Sequence, residues 1–548
     1  MVSQKPKRKL SSMPKMRQVT QSQQMAPKKP KRRLVYFRPG QITFLATHQE
    51  DSVSEERLRA WVAEIQEFLE GWQITWPPRT FSFPPPPEEE YEYKSSNDQE
   101  EQLRGAFSII VCDVEKGEDD SSSLRELIVR LDRKLRRKSF AELRVEAVSP
   151  NWLASGAPDG GAVGGPGGRP VPFRGTPDRA PYSFRELLAL LDKKGIRGDG
   201  TGVDVAILDT APCPHDLIAA FKEWKDRHPL IRTLLGPGSP LRLYPATYDE
   251  LLRMGSTSLN RHDYEMADHG LFAAGIVHTI APKATIHLIE VLNPFGVGDL
   301  ETIARGLEKA YNVIRKPDRR LVVNCSLMLD LPLQLKHCYA KSASDPEHAF
   351  ERRILGMVNR GPKSPDGKRQ VFALKAMCDR FGRVGGQVIA AAGNDWREKS
   401  DRLSAPTTRY PAAFSRTVGV GALPKDSKPD RATGKYEASS YSNLADKPPE
   451  TGIMTLGGEP GEEQGVLGLY LGQFPGCEEN CTKWAWWAGT SFATPILTGA
   501  IAAVLSKATG PRTTQEAIHA LYTNGIISEE QTLAKEDALL TEQDYPGP

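Results

Sequence analysis

Four polar side chains of catalytic types stand where predicted strands end or predicted helices begin. They are Asp209 after VDVAIL, His269 before GLFAAGIV, Asn394 after QVIAAAG and Ser491 before FATPILTGAIAAVL. A serine hydroxyl is a poor nucleophile until a base takes its proton, and a neutral imidazole does this near pH 7. A buried carboxylate orients that imidazole, and a side-chain amide stabilises the oxyanion that attack produces. These residue types therefore suit nucleophilic catalysis by a serine, and no step needs a metal or organic cofactor.

Each of the four residues also has a purely structural interpretation. Ser491 suits a helix N-cap, because serine hydroxyls accept hydrogen bonds from free backbone N–H groups. Asp209 suits a turn or a cap, and His269 suits a helix core or cap. Asn394 follows Gly393 and suits a left-handed turn. For any single residue the structural interpretation is the more common one, so the catalytic hypothesis depends on the whole set.

A series of apolar runs separated by helical segments must position these residues. The runs are VDVAIL, TIHLIEV, LVVNCSL, QVIAAAG and TVGVGAL, with helical patterns at 269–279 and 300–315. This alternation predicts an α/β fold with a parallel sheet that is covered on both faces. Because ligands lie at the carboxyl ends of such strands, we expect Asp209 and Asn394 at the reactive edge of the sheet.

Five sequence blocks resemble, in this order, the signature blocks of the subtilisin-like serine proteases, the subtilases of peptidase family S8. They are VAILDT, DHGLFAAGIV, VVNCSL, VIAAAGND and AGTSFATP, and the similarity covers residues 196–524. The order Asp, His, Ser is that of subtilisin. The resemblance implies a subtilisin-like three-layer α/β fold with a mainly parallel sheet. It also implies a serine endopeptidase that hydrolyses a polypeptide substrate through an acyl-enzyme.

The resemblance assigns a role to each of the four polar residues. Asp209 would be the orienting carboxylate, and His269 would be the general base and acid. Ser491 would be the nucleophile, and Asn394 with the Ser491 backbone N–H would form the oxyanion hole. No cofactor and no catalytic metal are implied for the chemistry. Structural calcium occurs in this family, but no acidic loop of this sequence indicates a site for it.

The resemblance also predicts the walls of a substrate cleft. Ser326 and Leu327 would supply an edge that pairs with an extended peptide by strand addition. Ala392 and Gly393 would line the other wall of the primary pocket. Met328 stands where the family usually has glycine, so we expect its side chain to crowd the peptide's path and narrow specificity.

Two further departures from the family support a rival hypothesis, a catalytically silent subtilisin fold that binds peptides or partners. Leu271 and Phe272 replace the Thr-His pair that usually follows the family's His-Gly, and Trp396 stands where a small residue is common. The four intact catalytic-type residues favour the enzyme over this rival. A third hypothesis makes the basic N-terminal tail the main functional element, as an adaptor for polyanions such as nucleic acid.

Composition divides the chain into five segments. The first, residues 1–33, is a basic tail expected to be disordered, since Met1 to Leu34 holds eleven Lys or Arg and no acidic residue. The others are a small α+β domain of the ferredoxin-like type (34–150), a Gly/Pro-rich linker (151–195), the subtilisin-like domain (196–524) and a C-terminal tail (525–548). The resemblance implies that the small domain is a prodomain that inhibits the enzyme from the cleft until it is cleaved. The alternative is a regulatory domain that is never removed.

Periodicity predicts the elements of the small domain in the order strand, helix, strand, helix, strand. The strands are expected at 33–39, 107–114 and 141–148, and the helices at 54–72 and 122–137. The proline run and the acidic residues of FPPPPEEEYEY, residues 83–93, predict an extended and exposed insertion between them.

The overall composition narrows the functional classes. The 548 residues are 39% hydrophobic and 26% charged, with a mean hydropathy of −0.45, which is ordinary for a soluble protein. The net charge of +3 is nearly balanced, so we expect polyanion binding only through the basic tail. No apolar run predicts a membrane span or a signal peptide. With seven cysteines, we expect an intracellular, cytoplasmic protein with reduced thiols.

Overall fold

The computed structural model describes most of the compact unit that spans Leu34–Pro548. The described ranges are 36–86, 105–117, 123–156, 169–180, 184–246, 265–294, 296–329, 359–360, 371–394, 408–427, 437–443, 445, 452–474, 479–524 and 533–534. The predictions for the basic tail therefore lie outside the described residues. So do those for the C-terminal tail, apart from 533–534, for most of the proline-rich insertion and for the centre of the expected linker.

An antiparallel sheet with two helices forms the N-terminal part of the described chain. Its elements are β1 (Tyr36–His48), α1 (Glu55–Gln66), β2 (Trp72–Phe83), β3 (Ala106–Lys116), α2 (Leu124–Leu135), β4 (Ser139–Phe140) and β5 (Leu143–Gly156). Strand β1 lies between β3 and β5, with Phe44 opposite Ile110 on one side and Val148 on the other, and β2 lies beyond β3. Apolar residues of both helices and of the sheet share one core.

Strand β2 is an element that periodicity does not reveal. The predicted helix over 54–72 begins correctly after the N-cap Ser54 but ends at Gln66, and β2 begins at Trp72. The two prolines at 77–78 interrupt the pattern of this strand in the sequence, because proline is rare inside strands. Its register with β3 shifts between Thr75 and Arg79, and such an irregularity accommodates residues that have no backbone N–H to donate.

A second, mainly parallel sheet forms the centre of the following part of the chain. Its strands are β7 (Val203–Asp209), β8 (Leu241–Tyr244), β9 (Thr285–Glu290), β11 (Arg320–Cys325), β14 (Val388–Ala391), β15 (Val418–Leu423), β16 (Gly452–Leu456) and β19 (Leu533–Ala534). The order across the sheet is β8, β9, β7, β11, β14, β15, β16, β19, and the pairs are parallel except that of β16 with β19. The predicted α/β fold with a parallel sheet is confirmed.

Helices cover both faces of the parallel sheet. They are α3 (Arg185–Lys193), α4 (Pro214–Trp224), α5 (Pro229–Leu234), α6 (His269–Ile280), α7 (Leu300–Lys309), α8 (Phe372–Gly382), α9 (Thr490–Leu505) and α10 (Thr514–Thr523). Strand β7 alternates between two cores, as side chains of a strand must. Val205 and Ile207 join the core with α6 and α9, whereas Ala206 and Leu208 join the core with α7 and α8.

Short elements complete the described structure. Strands β17 (Val466–Leu469), β18 (Trp484–Trp487) and β6 (Val171–Pro172) form a small antiparallel sheet. Strands β10 (Val297–Asp299) and β12 (Leu327–Met328) pair with β5, and β13 (Asn359–Arg360) pairs with β1. Single turns of 3-10 helix lie at Pro177–Arg179 and Glu265–Asp268, and a π-helical turn at Ala310–Ile314 extends α7.

The N-terminal sheet packs against α7 and α8 through a buried interface. Arg38 of β1 forms a buried ion pair with Asp299 at the start of α7, with 3.1 Å between Nη1 and Oδ2. Arg380 of α8 is fully buried and donates to the carbonyl oxygens of Pro84 and Gly105 at 2.6 and 2.5 Å. Apolar residues of both parts share a single core. The antiparallel sheet is therefore packed as an integral layer of the fold.

The end of β5 corrects the predicted linker. Residues 151–156 continue β5, and Leu153–Gly156 lie between β10 and β12, pairing with both edges. At the other end of the expected linker, residues 185–193 form α3. Glycine- and alanine-rich composition suggests a flexible chain, but backbone pairing on two sides supplies hydrogen bonds that composition does not reveal. The segment 151–195 therefore holds ordered elements at both ends.

Candidate active site

A buried carboxylate and a buried imidazole meet where β7 ends and α6 begins. Asp209 is the last residue of β7 and His269 the first of α6, and both side chains are fully buried. Nδ1 of His269 lies 2.7 Å from Oδ1 and 2.9 Å from Oδ2 of Asp209. The carboxylate is acceptor-only, so Nδ1 carries the proton of this bond and Nε2 is left as the acceptor of a neutral ring.

Close packing at Gly270 locks the carboxylate and the imidazole together. A Cβ atom at this position would lie 2.1 Å from the carbonyl oxygen of Thr210 and 2.9 Å from Cβ of Asp209. The backbone N–H of Gly270 donates to Oγ1 of Thr210 at 3.1 Å, and that hydroxyl donates to the carbonyl of Met266 at 2.9 Å. Only glycine lets the start of α6 approach the end of β7 this closely.

Aromatic rings surround the imidazole on its other sides. The His269 ring lies 5.5 Å from the ring of Trp487 and 5.2 Å from that of Phe492, measured between centroids. Phe272 packs against both of those rings, at 5.6 and 4.7 Å. The family departure at Phe272 therefore builds the apolar wall behind the histidine and leaves its bond to Asp209 intact. Trp396 lies outside the described residues.

Ser491 and His269 each present a buried polar atom without a partner. Ser491 is the second residue of α9 and is fully buried. Among the residues that the structure describes, neither Oγ of Ser491 nor Nε2 of His269 makes a hydrogen bond. Buried polar atoms are nearly always paired, so an unpaired acceptor and an unpaired hydroxyl require an explanation. Catalytic hydrogen bonds are often unformed until substrate binds, which explains both atoms together.

The N-cap of α9 is Gly489, so the cap interpretation of Ser491 is wrong. Gly489 has no side chain to cap the helix. The backbone N–H of Thr490 instead donates to Oδ1 of Asn394 at 3.0 Å. The first N–H groups of a helix lack intrahelical acceptors and carry the positive end of the helix dipole. Ser491 therefore lies in a region of the backbone that favours developing negative charge.

Ser326 compensates for a proline inside α9. Pro495 has no N–H, so it cannot donate to the carbonyl of Ser491 four residues earlier. Oγ of Ser326 donates to that carbonyl at 2.8 Å and accepts a bond from Nδ2 of Asn324 at 3.0 Å. Oδ1 of Asn324 in turn accepts from Thr498 at 3.0 Å. This chain of hydrogen bonds ties the end of β11 to the backbone of Ser491.

Asn394 is held by its amide oxygen. Oδ1 accepts from the backbone N–H of Thr490 at 3.0 Å and from its hydroxyl at 2.8 Å. The same hydroxyl of Thr490 lies 3.3 Å from the backbone nitrogen of Gly393, which donates to it. Gly393 has a φ of +110°, a conformation that side chains disfavour. Because Thr490 binds the amide oxygen of Asn394, the NH₂ group of Asn394 points away from Thr490. This NH₂ group is a hydrogen-bond donor.

The predicted cleft residues divide into two groups. Leu327 pairs with Gly156 of β5, so its backbone meets an extended strand as predicted for an edge that binds peptides. The side chain of Ser326 faces inward to the carbonyl of Ser491. Ala392 and Gly393 are buried, and their carbonyl oxygens accept bonds from other backbone and side-chain groups of the protein. The binding roles of these residues stay predictions.

Several residues of the site carry no signal in the sequence. Asp268 precedes His269, and its Oδ2 accepts from the backbone N–H groups of Leu471 and Gly472 at 2.8 and 2.7 Å. Thr490 and Asn324 anchor Asn394 and Ser326, respectively. The identity of a residue that supports another through a long-range hydrogen bond is not visible in local periodicity. Their position inside the blocks DHG, NCS and GTS, which resemble those of the family, is the one clue.

A cysteine at the same sheet edge is not a competing nucleophile. Cys325 is the last residue of β11 and is buried. Burial, and to a smaller extent the charge of Asp209, raises the pKa of its thiol. A thiol with a raised pKa stays protonated and unreactive near neutral pH. Ser491 is therefore the better candidate for attack at this edge.

The described ranges contain neither a cluster of metal-ligating side chains nor a membrane-spanning helix. There, no group of three or more His, Cys, Asp or Glu side chains is arranged to hold a metal ion. In the same part of the chain, every helix is too short or too polar to cross a membrane. The five cysteines that the structure describes are free thiols.

Comparison with known proteins identifies the family. The model of the subtilase family, Peptidase_S8, matches residues 200–543, which is more than half of the chain, and the chain belongs to this family. The family resemblance of the five sequence blocks is confirmed, and with it the subtilisin type of the α/β fold.

Similar proteins share modest identity with this chain. Subtilisin E of Bacillus subtilis (strain 168) and subtilisin J of Geobacillus stearothermophilus are each 24% identical over 250 residues. The match spans 44% of this chain and 46% of each relative, less than half of their length. The solved structure of the prenylagaramide maturation protease PagA is similar over 61% of this chain and 87% of its own, with 19% identity and a TM-score of 0.33.

Proposed function

We propose that this subtilase is a serine endopeptidase in which Asp209, His269 and Ser491 form the catalytic triad. One observation carries the proposal. The imidazole is bound to a buried carboxylate at Nδ1, while its Nε2 and the hydroxyl of Ser491 are both buried without partners. A base that is oriented on one side and open on the other is the arrangement that activates a hydroxyl nucleophile.

The residues divide the reaction between them. Oγ of Ser491 attacks the carbonyl carbon of the peptide, and its proton passes to Nε2 of His269. The amide of Asn394 and the backbone N–H of Ser491 stabilise the oxyanion. The imidazolium then protonates the leaving amine, and water, activated by the same imidazole, hydrolyses the acyl-enzyme. Asp209 holds the orientation of the ring through Nδ1, and the proposed mechanism uses no metal or organic cofactor.

The N-terminal part of the chain is proposed as a ferredoxin-like prodomain that inhibits the enzyme. Apart from the two-residue β4, the element order is βαββαβ, and together with the sheet order β5, β1, β3, β2 it supports this fold for residues 34–150. The strand Leu153–Gly156 lies between β10 and β12 as an extended peptide would. Since strand addition is a common mode of peptide binding, this strand competes with substrate for the two edges. The catalytic domain would span residues 196–524.

Hydrolysis of a mixture of quenched fluorescent peptides by the purified full chain tests the proposed activity. The variant Ala154→Glu is included to displace the inhibitory strand. Ala154 is fully buried opposite Gly298 of β10, so a glutamate at this position would place a charge in the buried interface between the strand and β10. We expect hydrolysis at least ~10-fold faster than for the unmodified chain, corresponding to loss of about 1.4 kcal/mol of inhibition.

The same variant with Ser491→Ala added is the control. It should fold, as judged by circular dichroism, and it should lose the hydrolysis. Equal hydrolysis with and without Ser491 would contradict the triad. Absence of hydrolysis in the folded Ala154→Glu chain would favour the silent, peptide-binding fold.

A further inference from the structure

We propose that Met328 fills the room beside the nucleophile, so that the enzyme accepts only a small residue, Gly, Ala or Ser, immediately before the bond it cleaves. The inference rests on the proposed function and adds a substrate class to it. Three observations carry it: the register of the strand in the cleft, the contact that Met328 makes, and the side chains that the cleft already holds.

The register of β5 shows which residue of a bound peptide faces Met328. Leu327 lies opposite Gly156, and Met328 lies opposite Ser155. A peptide that pairs with β12 in this register places its next residue opposite Ser326, whose hydroxyl is bonded to the Ser491 carbonyl. That residue is the one presented to the nucleophile. Because side chains of a strand alternate, it points to the same face of the sheet as Met328.

Met328 occupies the space on that face. Its side chain packs against Ala391, the last residue of β14, and both residues are buried. Three residues further along, Asn394 is anchored to Thr490 beside Ser491. The thioether therefore spans from the peptide-binding edge to the strand that leads to the proposed oxyanion hole. A large side chain entering between these two strands would collide with it.

The strand already in the cleft is made of small residues at the positions that precede the restricted one. Ala154, Ser155 and Gly156 are buried between β10 and β12 and carry small side chains or none. On the opposing edge, Gly298 also has no room for a Cβ, which would lie 2.2 Å from the carbonyl oxygen of Val291. The cleft is therefore built closely around small residues on both of its edges.

A pair of peptidyl phosphonate diphenyl esters tests the inference on the full chain carrying Ala154→Glu. The two probes differ only in the side chain next to phosphorus, that of alanine or that of phenylalanine. Oγ of Ser491 bonds to phosphorus, and phenol leaves with the proton, so intact mass reports the rate of adduct formation. We expect labelling about 100-fold faster with the alanine probe.

Two substitutions at Met328 localise the effect. Met328→Ala opens the space, so the alanine-to-phenylalanine ratio of labelling rates should fall to about 5 or less. Met328→Leu keeps a side chain of similar volume and should keep the ratio near that of the parent chain. Since the parent chain alone already yields a ratio, the inference is tested even where a Met328 variant does not fold.

A simple ethyl fluorophosphonate separates failure of the inference from failure of the proposed function. This probe has no side chain for Met328 to exclude. If it labels Ser491 but the two peptidyl probes react equally fast, the inference is overturned and the protease assignment stands. An unchanged ratio in folded Met328→Ala also overturns it. If no probe labels Ser491, the proposed function is overturned and the inference with it.

Discussion

Strand β7 carries two buried Asp–His pairs, one near each end. Asp204 near its amino end pairs with His287, with 2.9 Å between Oδ1 and Nε2, and Asp209 at its carboxyl end pairs with His269. His287 is satisfied on both sides, since its Nδ1 lies 3.0 Å from the hydroxyl of Tyr244. His269 has no partner for Nε2 among the described residues.

The difference between the pairs distinguishes a structural hydrogen-bonded pair from a reactive one. Burial raises the pKa of Asp204, but hydrogen bonds from His287 and Arg319 together lower that pKa by more than burial raises it, so the net shift is downward. Every polar atom of that group is engaged. In the Asp209 pair, the carboxylate accepts from Nδ1 of His269, while Nε2 of the ring has no hydrogen-bond partner among the described residues. The open nitrogen, together with the unpaired hydroxyl of Ser491, supports the proposal that chemistry occurs at the carboxyl end of β7.

Removing the charge of each aspartate in turn should reveal the largest difference between the two pairs. Asp209→Asn replaces a carboxylate oxygen with an NH₂ donor and disfavours the His269 tautomer that carries its proton on Nδ1, so we expect kcat to fall by about 10⁴-fold. Asp204→Asn should leave peptide hydrolysis within about 3-fold and lower the free energy of unfolding by about 1–3 kcal/mol, because Arg319 and His287 lose hydrogen bonds to a buried carboxylate. Hydrolysis assays and urea denaturation measure the two effects. Equal loss of activity in both variants would contradict the distinction between the pairs.

Asn394→Ala tests the proposed oxyanion donor. We expect kcat to fall by about 10²–10³-fold with little change in KM, since the amide acts on charge that develops in the transition state. Asn394→Asp is the matched variant, because it keeps an oxygen acceptor for Thr490 but has no NH₂ group to donate. Steady-state kinetics should show comparable losses for the two. Near-normal kcat in Asn394→Asp would exclude the donor role.

Ser326→Ala should have a smaller effect than the preceding substitutions, because Ser326 positions the backbone of Ser491 and takes no part in the proposed reaction. The variant leaves the carbonyl of Ser491 buried without a donor, because Pro495 cannot supply one. We expect the free energy of unfolding to fall by about 1–3 kcal/mol and kcat to fall less than ~10-fold. Ser326→Thr retains a hydroxyl and should recover part of both losses. If Ser326→Ala is as stable as the unmodified chain in thermal denaturation, the hydrogen bond from Ser326 to the Ser491 carbonyl does not stabilise the site.

Two buried histidines without a carboxylate partner extend the comparison to pH. Burial lowers the pKa of His228 to about 4 and that of His278 to about 4, against an ordinary value of 6.5. Between pH 6.5 and 4 the unfolded chain binds protons that the folded chain does not, so stability falls as pH falls through this window. Each histidine contributes up to about 3 kcal/mol.

Urea denaturation at pH 7, 5.5 and 4.5 measures this dependence. His278→Gln should flatten the decline, since glutamine keeps a polar group near Thr233 but does not titrate. A decline of the same steepness in this variant would show that His278 is not one of the groups responsible.

Much of the fold and the four catalytic-type residues could be predicted from the sequence, for a physical reason. Strands such as β7, β11 and β14 are buried on both faces and appear as continuous apolar runs. Their carboxyl ends share one sheet edge, so Asp209 and Asn394 follow from strand position alone. The order of the family blocks added His269 and Ser491.

The cleft could not be predicted from the sequence in the same way. Strands β10 and β12 are three and two residues long, too short to show periodicity. The pairing of Leu153–Gly156 with them depends on contacts between distant parts of the chain, whereas the Gly/Pro-rich composition that follows predicts a linker. The role of Ser326 depends on the missing N–H of Pro495, which is visible only when β11 and α9 are placed together.

The central claim is that Ser491 is a nucleophile activated by His269. We would treat the folded full chain and its Ala154→Glu variant with ethyl fluorophosphonate and measure intact masses, beside the same chains carrying Ser491→Ala. The account predicts one adduct on each chain that has Ser491, formed faster when the inhibitory strand is displaced, and none on the Ser491→Ala chains. No adduct on the folded Ala154→Glu variant, or an adduct that persists without Ser491, would contradict it.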